Sequence, residues 1–283
     1  MGGTIRFAMR AIFLADAHLC APEDANYQLM LQFISSLEGT VDTLCILGDL
    51  FDFRIGLASL TFAEHEPLLD ALRRLRDSGT RLVYLEGNHD FLLGADFAQR
   101  LGAELHIGPV VLELQGKRVY LCHGDLINRR DWSYQLLYRL LRHPATLYTG
   151  QFLPSSLIMA LRDRLQRSSK KQYTVHQHRW NYQAIIRSFA DVVRQQGCDA
   201  LVLGHFHQPF IEELDRFTLV ALGDWISSVT VGIVSGRSIQ PRIVAAWAHS
   251  PNGSSRLTGF PSAKQKKLSP PAKPAGEQDQ PVA

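Results

Sequence analysis

LVYLEGNHD, residues 82–90, is the most informative stretch of the chain. Four apolar residues are followed by Glu86 and by a glycine turn that carries Asn88, His89 and Asp90. A short continuous apolar run before a glycine turn is typical of a strand that is buried on both faces of a sheet. Polar side chains directly after such a strand indicate a site at the carboxyl end of a parallel sheet.

The same arrangement occurs four more times along the chain. The other apolar runs lie at 11–15, 44–47, 119–122 and 201–203. The polar clusters that follow them are Asp16-Ala17-His18, Gly48-Asp49, His123-Gly124-Asp125 and Gly204-His205-Phe206-His207. Helical stretches at about 25–38 and 62–77 separate the first three strands, so the sequence predicts an α/β layered fold.

Four further short strands are predicted after residue 208. They are expected at residues 210–214, 217–222, 227–234 and 239–246. We expect them to form a second, antiparallel sheet that stacks on the first. The predicted domain spans about residues 8–249, and the Pro-, Ser- and Lys-containing residues 250–283 are predicted to be a disordered tail.

Residues 129–171 interrupt the layered pattern and are expected to form a helical cap over the site. Apolar residues with helical spacing are Trp132, Leu136, Leu137, Leu140 and Leu141, then Leu157, Ile158, Leu161 and Leu165. The surrounding residues 129–179 carry ten Lys or Arg against two acids, and Tyr134, Tyr138 and Tyr148 are expected to be exposed. The alternative is that these are ordinary core helices.

Composition and hydropathy bound the cellular location. The chain has 283 residues, is 46% hydrophobic and has a net charge of +3. It has no apolar run of the ~18–20 residues that cross a bilayer, and its N-terminal apolar run ends at Asp16, too short for a secretory signal. We therefore expect a cytoplasmic protein that lies peripherally on the inner membrane. Arg142 is among the basic residues expected to meet anionic lipid.

Seven side chains are candidate metal ligands: Asp16, His18, Asp49, Asn88, His123, His205 and His207. Two divalent ions held close together form a clamp for in-line displacement at phosphorus, and at least one carboxylate must bridge them. Mixed imidazole and carboxylate ligands suit Mn²⁺, with Fe or Zn as alternatives, better than Ca or Mg. One D-x-H pair arises easily by chance, but the ordered set of clusters does not.

The blocks D-x-H, G-D-x-x-D, G-N-H-D, H-G-D and G-H-x-H, in this order, resemble the calcineurin-like metallophosphoesterases. The resemblance covers about residues 10–225 and implies a four-layer αββα sandwich. It implies two groups of ligands with a shared carboxylate: Asp16, His18 and His207 for one ion, Asn88, His123 and His205 for the other, and Asp49 between them.

His89 has a different role in this resemblance. It is implied to act on the substrate as a general acid or oxyanion stabiliser rather than to bind metal. This fits its chemistry, because imidazole titrates near neutral pH. We expect the neighbouring carboxylate of Asp90 to orient the His89 ring.

Within this family, five runs are similar to the enzymes that hydrolyse UDP-2,3-diacylglucosamine in lipid A synthesis. They are residues 15–20 (ADAHLC), 46–51 (ILGDLF), 88–94 (NHDFLLG), 123–125 (HGD) and 222–225 (LGDW). Carried over by position, the residues implied to contact substrate are Asn88, His89, Asp131, Ser169 and His205. Those enzymes have Arg at the position of His89.

Three functions are therefore open. The first is hydrolysis of UDP-2,3-diacylglucosamine to UMP and 2,3-diacylglucosamine 1-phosphate, which the Leu-rich basic cap favours. The second is the same chemistry on a nucleotide phosphodiester or a phosphoprotein, which His89 favours. The third is a scaffold without activity, against which the complete ligand set argues. The expected partners are a nucleotide-linked lipid and an anionic membrane surface, with no nucleic acid and no obligate protein partner.

Overall fold

The computed structural model describes residues 10–57, 60–164, 180–225, 230–235 and 238–243. The helices are α1 (Ala25–Leu37), α2 (Glu66–Asp77), α3 (Gly94–Leu101), α4 (Trp132–Leu141), α5 (Pro144–Gly150), α6 (155–164) and α7 (Tyr182–Gln195). The strands are β1 (Arg10–Leu14), β2 (Thr43–Ile46), β3 (Arg54–Ile55), β4 (Arg81–Leu85), β5 (Asp90–Phe91), β6 (Glu104–His106), β7 (Val110–Leu114), β8 (Lys117–Cys122), β9 (Ala200–Leu203), β10 (Phe210–Leu214), β11 (Phe217–Ala221), β12 (Thr230–Ser235) and β13 (Ser238–Ile243).

Two mixed sheets form the centre of the described structure. The first has the order β13-β12-β1-β2-β4-β6, and the second has the order β10-β11-β9-β8-β7. In the first sheet β1, β2, β4 and β6 run parallel, and in the second β8, β9 and β11 do. Both parallel groups end in the predicted polar clusters, so the clusters of the two sheets can converge.

The sheets pack face to face on one apolar core. Phe13, Cys45 and Val83 from the first sheet form a buried cluster with Leu121 and Val202 from the second. Because side chains alternate along a strand, the neighbours of these residues point outwards and must be covered by helices. The outer face of the second sheet packs on α7 through residues including Ile186, Ala190 and Val193.

Helices also cover the first sheet. Its outward side chains, such as Ile12 and Leu44, are fully buried. The helices between its strands, α1 and α2, pack on each other and bury Met30, Ile34 and Leu68 among other residues. The result is two sheets between helical layers, and the predicted four-layer αββα fold is confirmed.

The prediction of a separate antiparallel sheet after residue 208 is wrong. β10 and β11 join β7–β9, and β11 lies parallel to β9. β12 and β13 instead extend the first sheet beside β1. The strand positions agree with the sequence, but a strand buried on both faces has the same pattern in either sheet. Its partner depends on how the chain crosses between layers.

Residues 129–164 include three short helices, of which α5 was not anticipated. Part of the apolar stripe along α4 and α6 is exposed: 73% for Trp132, 58% for Leu136 and 53% for Leu157. Ile158 on α6 is buried, whereas the exposed side chains favour the cap over the core-helix alternative. Tyr148 is exposed as expected, whereas Tyr134 and Tyr138 are half-buried. No helix in the described ranges is long and apolar enough to cross a membrane. The predicted tail, residues 250–283, and the end of the predicted insertion, residues 165–171, lie outside the described residues.

Candidate metal centre

The predicted ligands converge from both sheets. Asp16 and His18 follow β1, Asp49 follows β2, and Asn88 follows β4 in the first sheet. The ligands from the second sheet are His123 after β8 and His205 and His207 after β9. Three overlapping groups have candidate ligand atoms within 4.8 Å of one another: Asp16 with His18 and His207; His18 with Asp49 and His89; and Asp16 with Asp49 and His123.

One carboxylate oxygen lies between two imidazoles at the middle of this cluster. Asp49 Oδ2 is 3.8 Å from His18 Nε2 and 3.5 Å from His123 Nε2. The other oxygen, Oδ1, accepts a hydrogen bond from the backbone N–H of His89 at 2.9 Å. Asp49 is thus in the position that a bridging ligand requires.

The remaining ligands flank Asp49 on its two sides. On one side, His18 Nε2 and His207 Nε2 are 3.4 Å apart, and His207 Nε2 is 3.6 Å from Asp16 Oδ1. On the other side, His123 Nε2 is 2.9 Å from Asn88 Oδ1. The His205 ring centroid is 5.1 Å from that of His123.

Three imidazoles are oriented in the same way, through a hydrogen bond at Nδ1. His123 Nδ1 is 2.8 Å from the carbonyl oxygen of Leu47, and His89 Nδ1 is 2.7 Å from that of Asp52. A carbonyl oxygen can only accept, so Nδ1 carries the proton and Nε2 faces the centre. His207 Nδ1 lies 3.3 Å from a carboxylate oxygen of Asp224. An acceptor at Nδ1 fixes the tautomer that leaves Nε2 available to a metal ion.

The backbone is strained at the ligands. Asp16, His18, Asp49, His205 and His207 all have φ between 45° and 71°, in the left-handed region. Such conformations cost of order 1–3 kcal/mol each and persist where the surroundings impose them, often at functional sites. Five of the eight described non-glycine residues with positive φ are predicted ligands. This clustering indicates that the loops are shaped for binding.

Two glycines allow the ligand loops to approach closely. A Cβ on Gly204 would lie 2.6 Å from Asp16 Oδ2 and 2.5 Å from the Cβ of Ala15. A Cβ on Gly87 would overlap the carboxylate of Asp49. Any side chain at these positions would push the carboxylates out of the cluster.

The donor set fits divalent cations. Asp16 Oδ1 is buried and has no hydrogen-bond partner among the described residues. A buried carboxylate oxygen without a partner is costly, and a cation would compensate it. The cluster offers oxygen and imidazole nitrogen atoms, which suit divalent transition-metal ions.

Burial and neighbouring charges shift the pKa values of the predicted ligands in opposite directions. Burial raises the pKa of Asp16 to about 6. Burial would also raise the pKa of Asp49, but the imidazoles of His123, His89 and His18 outweigh it and hold that pKa below its ordinary value. For His123, burial lowers the pKa, yet Asp49 and other nearby carboxylates outweigh burial and raise it to about 9. Without metal, the raised pKa favours a protonated His123 ring at neutral pH.

Comparison with known proteins agrees with this geometry. The model of the calcineurin-like phosphoesterases matches residues 9–209, which is most of the chain. The chain belongs to the calcineurin-like phosphoesterase family. The expectation of a metal-dependent phosphoester hydrolase is thereby confirmed, and the scaffold alternative is set aside.

Curated relatives of this phosphoesterase carry a more specific name. The UDP-2,3-diacylglucosamine hydrolase of Aeromonas salmonicida is 32% identical over 80% of this chain and 90% of its own length. That of Pseudomonas paraeruginosa is 35% identical over 77% of this chain and 91% of its own. Among solved structures, an archaeal phosphodiesterase aligns over 83% of this chain and 99% of its own, at 12% identity and a TM-score of 0.44.

The predicted role of Asp90 in this phosphoesterase is wrong. Its buried carboxylate points away from the His89 ring and accepts hydrogen bonds from four other groups: the backbone N–H of Asp49, Leu50 and Gly87, and the Tyr84 hydroxyl. The His89 ring is held by the Asp52 carbonyl instead. Asp90 follows His89 and begins β5, and neighbouring side chains in an extended chain point to opposite faces. The Asp90 carboxylate therefore points away from the His89 ring and holds the backbone N–H of Asp49.

Asp224 belongs to the run 222–225 noted in the sequence, but its contact with His207 was not predicted. It lies three residues after the end of β11 and contacts His207, while the backbone N–H of the next residue, Trp225, donates to the carbonyl of Asp16 at 3.2 Å. The signal was present, since a polar residue follows a buried strand here as at the five recognised clusters.

Of the predicted substrate contacts, one caps a helix and another falls outside the described part of the chain. Asp131 caps the N-terminus of α4, where it accepts the backbone N–H of Tyr134 at 3.2 Å. Ser169 lies outside the described residues. The other predicted contacts, Asn88, His89 and His205, are within the cluster.

Metal binding is expected to release protons. The pKa of His123 is raised to about 9, so at pH 7 its ring is protonated without metal, whereas a ligand must be neutral. We expect release of about one proton or more per chain on loading with Mn²⁺ at pH 7. Apparent affinity should rise with pH until about pH 9. Calorimetric titration in buffers of different ionisation enthalpy measures the release, with EDTA as the reference chelator. Heats that do not depend on the buffer would contradict the expectation.

The orienting role of Asp224 gives a second prediction. Asp224→Ala removes the acceptor at His207 Nδ1 and should weaken metal affinity or activity by about 10–100-fold, the usual effect of losing such a partner. The matched control is Asp191→Ala, which removes an exposed carboxylate on α7. Metal titration measures the affinity of each variant, and circular dichroism checks that each variant is folded. Equal affinities of the two variants would rule out the assigned role.

Proposed function

We propose that this chain hydrolyses the pyrophosphate of UDP-2,3-diacylglucosamine to UMP and 2,3-diacylglucosamine 1-phosphate in lipid A synthesis. The observation that carries the proposal is the similarity to hydrolases of that name, at 32–35% identity over 77–80% of the chain. The converged ligands and the exposed apolar helices support it, since the substrate combines a pyrophosphate with two acyl chains.

We infer that the centre holds two ions, most simply Mn²⁺, with Fe or Zn as alternatives. Asp16, His18 and His207 would hold one ion, Asn88, His123 and His205 the other, and Asp49 both. Bound divalent cations supply positive charge that stabilises the transition state at phosphorus and makes water a better nucleophile.

The His89 side chain has a separate task in this proposal. Its Nδ1–H is held by the Asp52 carbonyl, so Nε2 faces the cluster. A protonated Nε2 would donate a hydrogen bond to a phosphoryl oxygen or a proton to the departing phosphate as the P–O bond breaks. Water adds to the phosphorus, and the bridging oxygen leaves with the lipid sugar phosphate. Asn88, Asp131, Ser169 and His205 are the further substrate contacts we propose.

The exposed side chains of the helices in residues 129–164 favour a cap that contacts lipid. Trp132, Leu136 and Leu140 form one exposed stripe on α4, and Leu157 and Leu161 form another on α6. Exposed arginines, such as those at 129, 130, 139 and 164, flank the stripes. Apolar side chains beside basic ones suit acyl chains and anionic headgroups. We therefore place the protein peripherally on the cytoplasmic face of the inner membrane.

A different substrate on the same centre is the second candidate. His89 stands where the enzymes of lipid A synthesis have Arg, and an imidazole at this position suits a smaller phosphodiester as well. Arg142 also does not contribute to a lipid-facing surface, because its side chain is only 12% exposed. Its expected role at the membrane is therefore wrong.

Changing the cap surface distinguishes the two candidates. The double variant Leu136→Asp, Leu161→Asp places charges on the exposed stripes and should lower turnover of UDP-2,3-diacylglucosamine by at least about tenfold, since acyl chains lose apolar contact. Hydrolysis of bis(p-nitrophenyl) phosphate with Mn²⁺ should not change. The matched control is Val192→Asp, which alters an exposed apolar residue of α7.

The outcomes separate the alternatives clearly. Loss of both activities would mean that the helices are needed for the centre itself and do not select a lipid. No loss of either activity, or no turnover of the lipid substrate by the unmodified protein, would favour the soluble phosphodiester.

A further inference from the structure

The side chain of Arg142 turns inwards at the end of α4 and reaches the loop that follows β4. Its Nη2 is 3.2 Å from Glu86 Oε2 and 3.4 Å from the carbonyl oxygen of Gly87. The guanidinium lies 4.0 Å from the ring centroid of Tyr138 and 5.1 Å from that of Phe91. Arg142 is therefore enclosed by one residue of its own helix and by three residues around the metal centre.

Glu86 connects Arg142 to the loop that carries Asn88 and His89. Its carboxylate is 1% exposed, and its other oxygen, Oε1, accepts the backbone N–H of Leu93 at 2.8 Å. Glu86 thus joins the two ends of the segment that carries Asn88 and His89. The Gly87 carbonyl that Arg142 contacts belongs to the peptide bond that leads into Asn88.

The burial of this ion pair makes its geometry important. Surface ion pairs contribute little and are easily replaced by water. A buried carboxylate without its cation is costly, so Glu86 would change its position if Arg142 were removed. The pair is thus expected to hold Arg142, and with it the end of α4, in one position.

The other end of α4 is attached to the second sheet. The Tyr134 hydroxyl donates to Asp125 Oδ2 at 2.5 Å, and Asp125 lies two residues after His123. One helix therefore contacts the ligand loop after β8 through its first turn and the ligand loop after β4 through Arg142, the residue that caps its C-terminus. These two loops carry Asn88 and His123, whose side chains are 2.9 Å apart.

We propose that Arg142 is a positioning residue, which couples the position of the cap helix α4 to the placement of Asn88 and His89 through Glu86 and Gly87. The proposal rests on the roles proposed above for Asn88 and His89. It predicts that the helix region serves the chemical step as well as substrate selection. Displacing α4 at this end would shift His89 relative to the phosphate, and small displacements of reacting groups lower rates strongly.

The test compares two arginines that each pair with a glutamate. Arg142→Met breaks the buried pair, and Arg187→Met breaks the exposed pair with Glu212 on the other side of the second sheet. Both are assayed as full-length, metal-loaded protein with bis(p-nitrophenyl) phosphate, which has no acyl chains. The measured quantities are kcat and KM per loaded centre, the metal content and the melting temperature.

We expect Arg142→Met to lower kcat by about 10–100-fold with bound metal retained, as for other residues that hold a site from behind. KM should change much less, and Arg187→Met should resemble the unmodified protein. Arg142→Lys, which keeps the charge but not the planar fork, should restore part of kcat. In a Glu86→Gln background the further loss caused by Arg142→Met should be several-fold smaller, because the two residues act as a unit.

Three results would overturn the proposal. The first is a loss of activity that matches the loss of metal or of folded protein, which would make the role purely structural. The second is additivity of Glu86→Gln and Arg142→Met. The third is equal behaviour of Arg142→Met and Arg187→Met. If Arg142→Met does not fold, the comparison is made with Arg142→Lys. Because the soluble diester is the substrate, none of these results depends on the identity of the natural lipid.

Discussion

The rest of the centre depends on the contacts of the buried Asp49 carboxylate. It is buried, with one oxygen between the imidazoles of His18 and His123 and the other bonded to the backbone of His89. A buried negative charge must be surrounded by compensating groups. The two sheets therefore need to bring their ligand loops to the same point, and the apolar core between the sheets holds them there. Asp90 adds the final restraint by fixing the peptide of Asp49.

This arrangement is maintained against local strain. The left-handed backbone at the ligands and the absence of a side chain at Gly87 are unfavourable for an isolated chain. They are tolerated because buried strands precede every loop and because charged partners fix the loops from behind. Arg142 on Glu86 and Asp224 on His207 are such partners. In the proposed mechanism, the chemistry at the metal cluster would thus depend on polar contacts that hold the ligand loops in place.

The sequence predicted the strand–loop units well, because each unit is local: an apolar run followed by polar residues. It could not predict how the strands divide between sheets, since β9 and β11 are buried on both faces and would look the same in either sheet. The side-chain directions of Asp90 and Arg142 were also missed. Asp90 turns towards β2 because of its place on the short β5. An arginine on an amphipathic helix is normally predicted to be exposed. Arg142 is buried because the fold brings Glu86 beside it, which the sequence does not show.

The most direct measurement is the metal content of Asp49→Asn, because an amide has only one oxygen and cannot share a negative charge between two cations. The account predicts two Mn²⁺ per chain in the unmodified protein and in Asp199→Asn, which changes a carboxylate at the opposite end of β9. It predicts one ion or none, with hydrolysis lost, in Asp49→Asn. Two bound ions and undiminished hydrolysis in Asp49→Asn would contradict the account.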